Sequence, residues 1–120
     1  MLSNSNVINL LSKTTFNQLC NVLSNAQAII AHDSGIMHVA NALQLPLLAL
    51  YGPTDYTRTA PLAPSSHVLH SRTECWRKMY GFKNSEKKLA KQYPCYYCMS
   101  GISVNQVMDI LKILLQKKVL

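Results

Sequence analysis

The sequence predicts an α/β fold, a Rossmann-like parallel sheet flanked by helices. Short apolar runs alternate along the chain with segments of helical spacing. The run over residues 46–51 is continuously apolar, as strands covered on both faces tend to be. Thr15 is followed three residues later by Gln18, a capping box that opens a helix. Strands and helices in turn are typical of a parallel sheet.

The first elements form a βαβαβ unit. A short strand is predicted over residues 7–11, followed by the helix that Thr15 opens. A second strand over residues 28–31 is apolar and partly β-branched, as a buried strand should be. Residues 36–43 then have helical spacing, and residues 46–51 supply the third strand.

The later elements are a further short strand and two helices. The strand is predicted over residues 67–70 and a polar helix over residues 84–92. Ser103 begins an amphipathic helix over residues 103–115. The chain is therefore divided into an α/β core over residues 1–70, a basic cysteine-containing segment over residues 71–100 and a C-terminal helix over residues 103–117, all within one domain over residues 1–120.

The turn between the second strand and the next helix is suited to hold phosphate. It carries Asp33, Ser34 and Gly35. The first N–H groups of a helix lack intrahelical partners and the helix dipole is positive there, so an anion can bind, and Gly35 lets the backbone approach closely. The alternative role for Asp33 is to cap the helix with its carboxylate.

A second loop belongs to the same predicted cleft. Gly52, Pro53, Thr54 and Asp55 end the third strand with turn-forming residues. Ligands of open α/β sheets bind beyond the carboxyl ends of the strands, where both loops fall. The two loops are therefore expected to face one cleft, with His38 one turn into the helix beside it.

Composition limits the class of protein. The 120 residues are 48% hydrophobic and carry a net charge of +7, which indicates one folded domain with affinity for anionic partners. No apolar run reaches the roughly 18 to 20 residues of a membrane-spanning helix. The start of the chain does not resemble a signal peptide, which predicts a cytoplasmic protein. Nucleic acid is not expected as a partner, because the basic residues follow no helix-turn-helix or aromatic-interleaved pattern.

The cysteines allow a zinc site. Cys95 and Cys98 form a CxxC pair, and Cys75 with His67 or His70 would complete a tetrahedral set of ligands. Only one close pair is present, so no metal is expected: free thiols or a packing role in a reducing compartment are favoured, and zinc is the alternative. Cys20 falls on an apolar helix face and is expected in the core.

The motifs in this order resemble one family. The pattern Asp33-Ser34-Gly35-Ile36-Met37-His38, with Gly52-Pro53-Thr54-Asp55 and Thr59-Ala60-Pro61 behind it, is similar to the donor-binding half of the glycosyltransferase family 9 heptosyltransferases. A sparser match covers Cys98, Met99, Ile102 and Val107. The resemblance implies one of the two domains of a GT-B enzyme, the C-terminal one, and inverting transfer of heptose from ADP-heptose to the lipopolysaccharide inner core.

The resemblance also assigns roles to residues. Asp33 would hydrogen-bond the donor sugar, and Ser34 and Gly35 would bind the diphosphate. His38 would lie in the same pocket, and Thr54 and Asp55 would line the cleft. No catalytic residue is identifiable in this chain and no cofactor is required, so the chain is expected to bind weakly and not to turn over by itself.

Partners follow from the same resemblance. The acceptor would be a lipopolysaccharide core, held by an N-terminal domain that this sequence does not match. Peripheral contact with the inner membrane and a homodimer through the apolar stripe of the C-terminal helix are further expectations. Two alternative functions stay open: a non-catalytic module that binds a nucleotide or ADP-sugar, and a basic interaction protein with a zinc site.

Overall fold

The structure, a computed structural model, describes residues 6–71 and 98–116 as a parallel sheet with helices on both faces. The strands are β1 (Ile29–His32), β2 (Leu47–Tyr51) and β3 (Ser66–His70), in the order β1-β2-β3 with both pairs parallel. The helices are α1 (Phe16–Ser24), α2 (Gly35–Ala42), α3 (Tyr56–Thr59) and α4 (Val104–Gln116). The predicted α/β class is confirmed.

Two helices begin at the residues that the sequence predicts. The Gln18 N–H donates to Thr15 Oγ1 at 3.4 Å, and the Thr15 N–H donates to Gln18 Oε1 at 2.8 Å. Ser103 and Gln106 repeat the arrangement ahead of α4, with distances of 3.2 and 2.8 Å. These reciprocal bonds satisfy backbone donors that a helix start leaves without partners.

Helices α1 and α2 cover the first face of the sheet. Leu47, Ala49 and Tyr51 point to this face from β2 and are fully buried. They form one cluster with Leu23 of α1 and Met37 of α2. The apolar face of α2 therefore fixes the turn that precedes it against the end of β1.

Helix α4 covers the second face of β2. Leu48 points to that face, and both it and Leu114 of α4 are buried although they stand outside the first cluster. The prediction that β2 is covered on both faces is confirmed. Strand β1 is different, because Ile30, the neighbour of Leu48, stays 47% exposed. The expectation of a buried strand there is met by Ile29 on one face but not by Ile30 on the other.

The strand predicted over residues 7–11 is not formed. Ile8 and Leu11 are each 80% exposed, and the segment pairs with none of the three strands. The Lys13 N–H donates to the Leu10 carbonyl at 3.0 Å, and the Leu11 N–H donates to Asn9 Oδ1 at 3.0 Å. Local hydrogen bonds thus satisfy these backbone groups, whereas a strand requires a neighbour in the sheet.

The short helix α3 was not predicted. It follows the Gly52–Asp55 loop, where the sequence indicates only turns and irregular chain. Asp55 caps it, with Oδ1 accepting from the Thr57 N–H at 3.0 Å. The helix predicted over residues 84–92 and most of the basic segment lie outside the described residues.

Candidate functional site

Asp33, Ser34 and Gly35 lie at the carboxyl end of β1, where the sequence places them. Strand β1 ends at His32 and helix α2 begins at Gly35. Ser34 is the N-cap residue, but its side chain makes no capping hydrogen bond and its Oγ donates to the His32 carbonyl at 3.2 Å. The start of an eight-residue helix thus lacks a side-chain cap, which suits an anion.

Asp33 is held by a residue of the neighbouring loop. Its Oδ2 accepts from Thr59 Oγ1 at 3.2 Å, and its Oδ1 lies 3.9 Å from His38 Nε2. The side chain of Asp33 is 16% exposed, whereas that of His38 is 54% exposed. Asp33 does not cap α2, because Ser34 is the N-cap residue and the Asp33 carboxylate is hydrogen-bonded to Thr59.

The space beside Gly35 is open. A Cβ built on Gly35 would meet no atom within 4 Å, and its φ is not positive. The glycine is therefore not needed for a left-handed backbone conformation. Its lack of a side chain instead leaves room for a ligand to approach the first N–H groups of α2.

Thr54 and Asp55 follow β2 at the same edge of the sheet. Both are half-buried. Asp55 Oδ1 accepts from the Thr57 hydroxyl at 2.6 Å as well as from the Thr57 N–H, so this carboxylate organises α3. This capping role has a local sequence signal, an Asp two residues before a Thr.

A C-terminal segment packs against the ends of β2 and β3. A Cβ on Gly52 would come within 2.6 Å of Met99 Sδ, and a Cβ on Gly101 would collide with Ser71 Oγ. The absence of side chains at Gly52 and Gly101 therefore allows residues 98–101 to approach closely. Gly52 thus contributes to packing and not to chemistry, since it has no polar side chain and leaves room for Met99.

Aromatic side chains support the loop after β2. Tyr51 is fully buried and its hydroxyl donates to the Thr59 carbonyl at 2.8 Å. Tyr56 stacks on His70 with ring centroids 4.1 Å apart and meets Tyr51 edge to face at 6.4 Å. Burial raises the pKa of the Tyr51 hydroxyl, the side-chain hydroxyl of Thr59, 3.4 Å away, opposes this, and the nearby negative charge of Asp33 raises it further.

The raised pKa of Tyr51 predicts a loss of stability at alkaline pH. The folded-state pKa lies above the unfolded value of about 10. The contribution of the protonated Tyr51 hydroxyl to stability is therefore complete below pH 10 and is lost as the pH rises through the folded-state pKa. Urea unfolding at pH 8 and near pH 11 measures it. Tyr51→Phe should cost about 1 kcal/mol at pH 8 through the lost hydrogen bond, and should make stability fall less steeply above pH 10. An unchanged slope in this variant would contradict the assignment.

The alternative of a zinc site is not tested by the described residues. Cys75 and Cys95 lie outside them, while Cys98 is buried and Cys20 is half-buried. Within residues 6–71 and 98–116, no group of three or more side chains could hold a metal ion. No helix in the same part of the chain is long and apolar enough to cross a membrane.

Thr59 is the residue of this site to which sequence reasoning gave no role. It belongs to a motif that the sequence analysis matched, but Thr59 and Asp33 are 26 positions apart and on different loops. Neither periodicity nor spacing indicates such a contact. The structure places Asp33, Ser34, Gly35 and His38 at one end of the sheet, with Thr59 and Tyr51 behind Asp33.

Comparison with known proteins identifies the family. The family model for glycosyltransferase family 9 (heptosyltransferase) matches residues 2–95. The chain belongs to glycosyltransferase family 9. This family 9 chain is 40% identical over 62 residues to lipooligosaccharide heptosyltransferase 2 of Haemophilus influenzae. It is 43% identical over 61 residues to lipopolysaccharide heptosyltransferase 2 of Escherichia coli K12. These matches cover 52% and 51% of the chain but 18% of each relative.

Solved structures of family 9 proteins have the same fold. The E. coli ADP-heptose lipopolysaccharide heptosyltransferase II matches with a TM-score of 0.70 and 28% identity, over 93% of this chain and 28% of that protein. The family 9 glycosyltransferase of Veillonella parvula matches with a TM-score of 0.66 and 28% identity, over 88% of this chain and 28% of that protein. This chain therefore spans less than a third of the length of the proteins that it matches.

Proposed function

We propose that this chain is the nucleotide-sugar-binding part of a glycosyltransferase like the lipopolysaccharide core heptosyltransferases, with ADP-heptose as its donor. The observation that carries the proposal is the Asp33 carboxylate, fixed by Thr59 beside the uncapped start of α2. The carboxylate offers acceptors for sugar hydroxyls, and the N–H groups of the adjacent helix start offer donors for a diphosphate.

Each side chain has a role in this proposal. Asp33 accepts hydrogen bonds from the sugar, while Ser34 and the open backbone at Gly35 bind the diphosphate. His38 is exposed at the same edge and reaches the donor from the other side of Asp33. Thr54 lines the cleft from the second loop, and Asp55 does so through the position of α3 that it caps.

The proposed reaction is inverting glycosyl transfer. An acceptor hydroxyl attacks the anomeric carbon of the heptose, its proton passes to a general base, and the bond to the nucleoside diphosphate breaks. The start of α2 stabilises the negative charge that develops on the departing diphosphate. No base is assigned among the described residues, so we expect this chain alone to bind donor without turnover. Transfer to a lipopolysaccharide core, in the cytoplasm at the inner membrane, would require the remainder of a family 9 enzyme.

Titration calorimetry with ADP, ADP-heptose and UDP tests the proposal. Binding that prefers both adenine nucleotides over UDP is expected. Equal binding of all three at low salt, lost on raising the salt concentration, would instead favour a basic interaction protein. The absence of binding by any of them would contradict the proposed function. A second polypeptide carrying the rest of a family 9 enzyme then tests transfer, because only a catalytic part regains activity on mixing.

Gly35→Ala separates binding from folding. The added Cβ points into open space, and alanine is favoured over glycine in a helix, so stability should stay unchanged or rise by up to about 1 kcal/mol. The methyl group occupies room next to the first N–H groups of α2, so affinity for ADP should fall about tenfold. Gly52 and Gly101 cannot serve as control positions, because a Cβ there would meet Met99 or Ser71. Unchanged affinity for ADP would contradict diphosphate binding at this turn.

A further inference from the structure

Thr59 connects the two loops at the carboxyl edge of the sheet. It is the last residue of α3, after β2, and its Oγ1 donates to Oδ2 of Asp33, after β1, at 3.2 Å. Thr59 is half-buried and the side chain of Asp33 is 16% exposed, so the contact is partly shielded from water. A hydrogen bond in such a position is stronger than one at a fully exposed surface.

The oxygen atoms around Thr59 and Tyr51 indicate which acceptor each hydroxyl group favours. Thr59 Oγ1 has three oxygen neighbours: Asp33 Oδ2 at 3.2 Å, the Asp55 carbonyl at 3.3 Å and the Tyr51 hydroxyl at 3.4 Å. Tyr51 donates its own proton to the Thr59 carbonyl at 2.8 Å. Thr59 has one proton to donate, and the carboxylate is the strongest acceptor of the three. The bond from Thr59 to Asp33 is therefore the favoured one.

Thr59 is itself held in place. Its carbonyl accepts from the fully buried Tyr51, and the Ala60 N–H donates to the Tyr56 carbonyl at 3.0 Å across the end of α3. A β-branched side chain is also stiff at χ1. The hydroxyl is thus fixed before any ligand arrives. Through it the buried strand β2 determines the direction of a carboxylate on the neighbouring loop.

We infer that Thr59 is a positioning residue for donor binding, which orients the Asp33 carboxylate towards the sugar of the nucleotide donor. The inference rests on the proposed function. With Oδ2 bonded to Thr59, Asp33 presents Oδ1, which faces His38, to a sugar hydroxyl. Because the carboxylate is already fixed, less side-chain entropy is lost when the donor binds. Thr59 affects the sugar-bearing donor through Asp33 and has no contact of its own with the diphosphate.

Thr59→Val and Thr59→Ser test this role. Valine keeps the branched shape without the hydroxyl, and serine keeps the hydroxyl. Calorimetry should show that Thr59→Val binds ADP-heptose about tenfold more weakly than the unchanged chain and binds ADP equally well. Thr59→Ser should restore ADP-heptose affinity to within about twofold. Thr15→Val, which removes the cap of α1 far from the site in sequence, controls for lost stability and should leave both affinities unchanged.

A double-mutant cycle supplies a readout without ligand. Thr59→Val, Asp33→Ala and the double variant are unfolded in urea, since alanine leaves no acceptor for the Thr59 hydroxyl. A direct interaction makes the effects of the two changes on unfolding free energy non-additive, whereas independent side chains give additive effects. Additive effects, or a Thr59→Val chain that discriminates between ADP-heptose and ADP as the unchanged chain does, would overturn the inference and leave the proposed function standing. Failure of the unchanged chain to bind either ligand would overturn both.

Discussion

Asp33→Asn should bind ADP-heptose roughly 100-fold more weakly than the unchanged chain, the upper part of the range for losing a hydrogen bond to a charged group. The substitution keeps the shape of the side chain but removes its negative charge. The charged oxygens accept from Thr59 and, in the proposed complex, from the sugar. The affinity for ADP alone should hold or rise slightly, because a negative charge next to the diphosphate disappears. Titration calorimetry with each ligand measures the expected loss of affinity for ADP-heptose and the unchanged or slightly higher affinity for ADP.

Asp109→Asn is the matched control for this prediction. It removes the same charge from a side chain that is 71% exposed on α4, where Asp109 pairs only loosely with Lys112 at 3.4 Å. Any effect of net charge on the binding of an anionic ligand should therefore appear in both variants. A loss of ADP-heptose affinity in Asp33→Asn but not in Asp109→Asn indicates contact with the sugar. Equal affinities in the two variants would leave Asp33 with only its structural bond to Thr59.

Local signals in the sequence predicted most of the fold. The capping residues Thr15 and Ser103 mark the starts of α1 and α4 because each N-cap bond is made within three residues. Strand β2 was predicted because its side chains are apolar on both faces, and both faces are covered. The strand at residues 7–11 was predicted wrongly because a strand depends on a neighbour that local composition does not reveal. The exposure of Ile30 was missed for a similar reason, because the apolar residues of β1 do not indicate what packs against each face of the strand.

The candidate site also has features that local sequence predicts and features that only the structure reveals. The Asp33–Gly35 turn was predicted because a strand ends and a helix begins within a few residues. The role of Thr59 required the three-dimensional structure, because the parallel pairing of β1 with β2 is what brings two distant loops to one edge. The capping of α3 by Asp55 could have been predicted from local sequence. The helix in the basic segment and the alternative zinc site with Cys75 and Cys95 are not tested, since they lie outside the part of the chain described.

Leu114→Ala should lower the free energy of unfolding by about 3 kcal/mol, within the range for replacing a buried leucine by alanine. Leu114 is 1% exposed, and α4 is the described helix that contacts β2 from its second face. Shortening this side chain leaves a cavity between helix and sheet, because the rigid strand cannot move to fill it. Urea unfolding at neutral pH measures the loss, and a smaller cost would mean that the interface collapses around the alanine.

Leu115→Ala is the control that separates the effect of truncating a buried side chain from the effect of replacing any leucine in α4 by alanine. Leu115 is the next residue on the same helix and is 39% exposed, so its truncation should cost less than about 1 kcal/mol. Equal costs for the two variants would mean that α4 is turned differently on the sheet. The comparison also bears on the site, because residues 98–101, which precede α4 in the chain, pack beside Gly52 and Ser71 at the ends of β2 and β3. If α4 loosens in Leu114→Ala, affinity for ADP should fall along with stability, whereas Leu115→Ala should leave it unchanged.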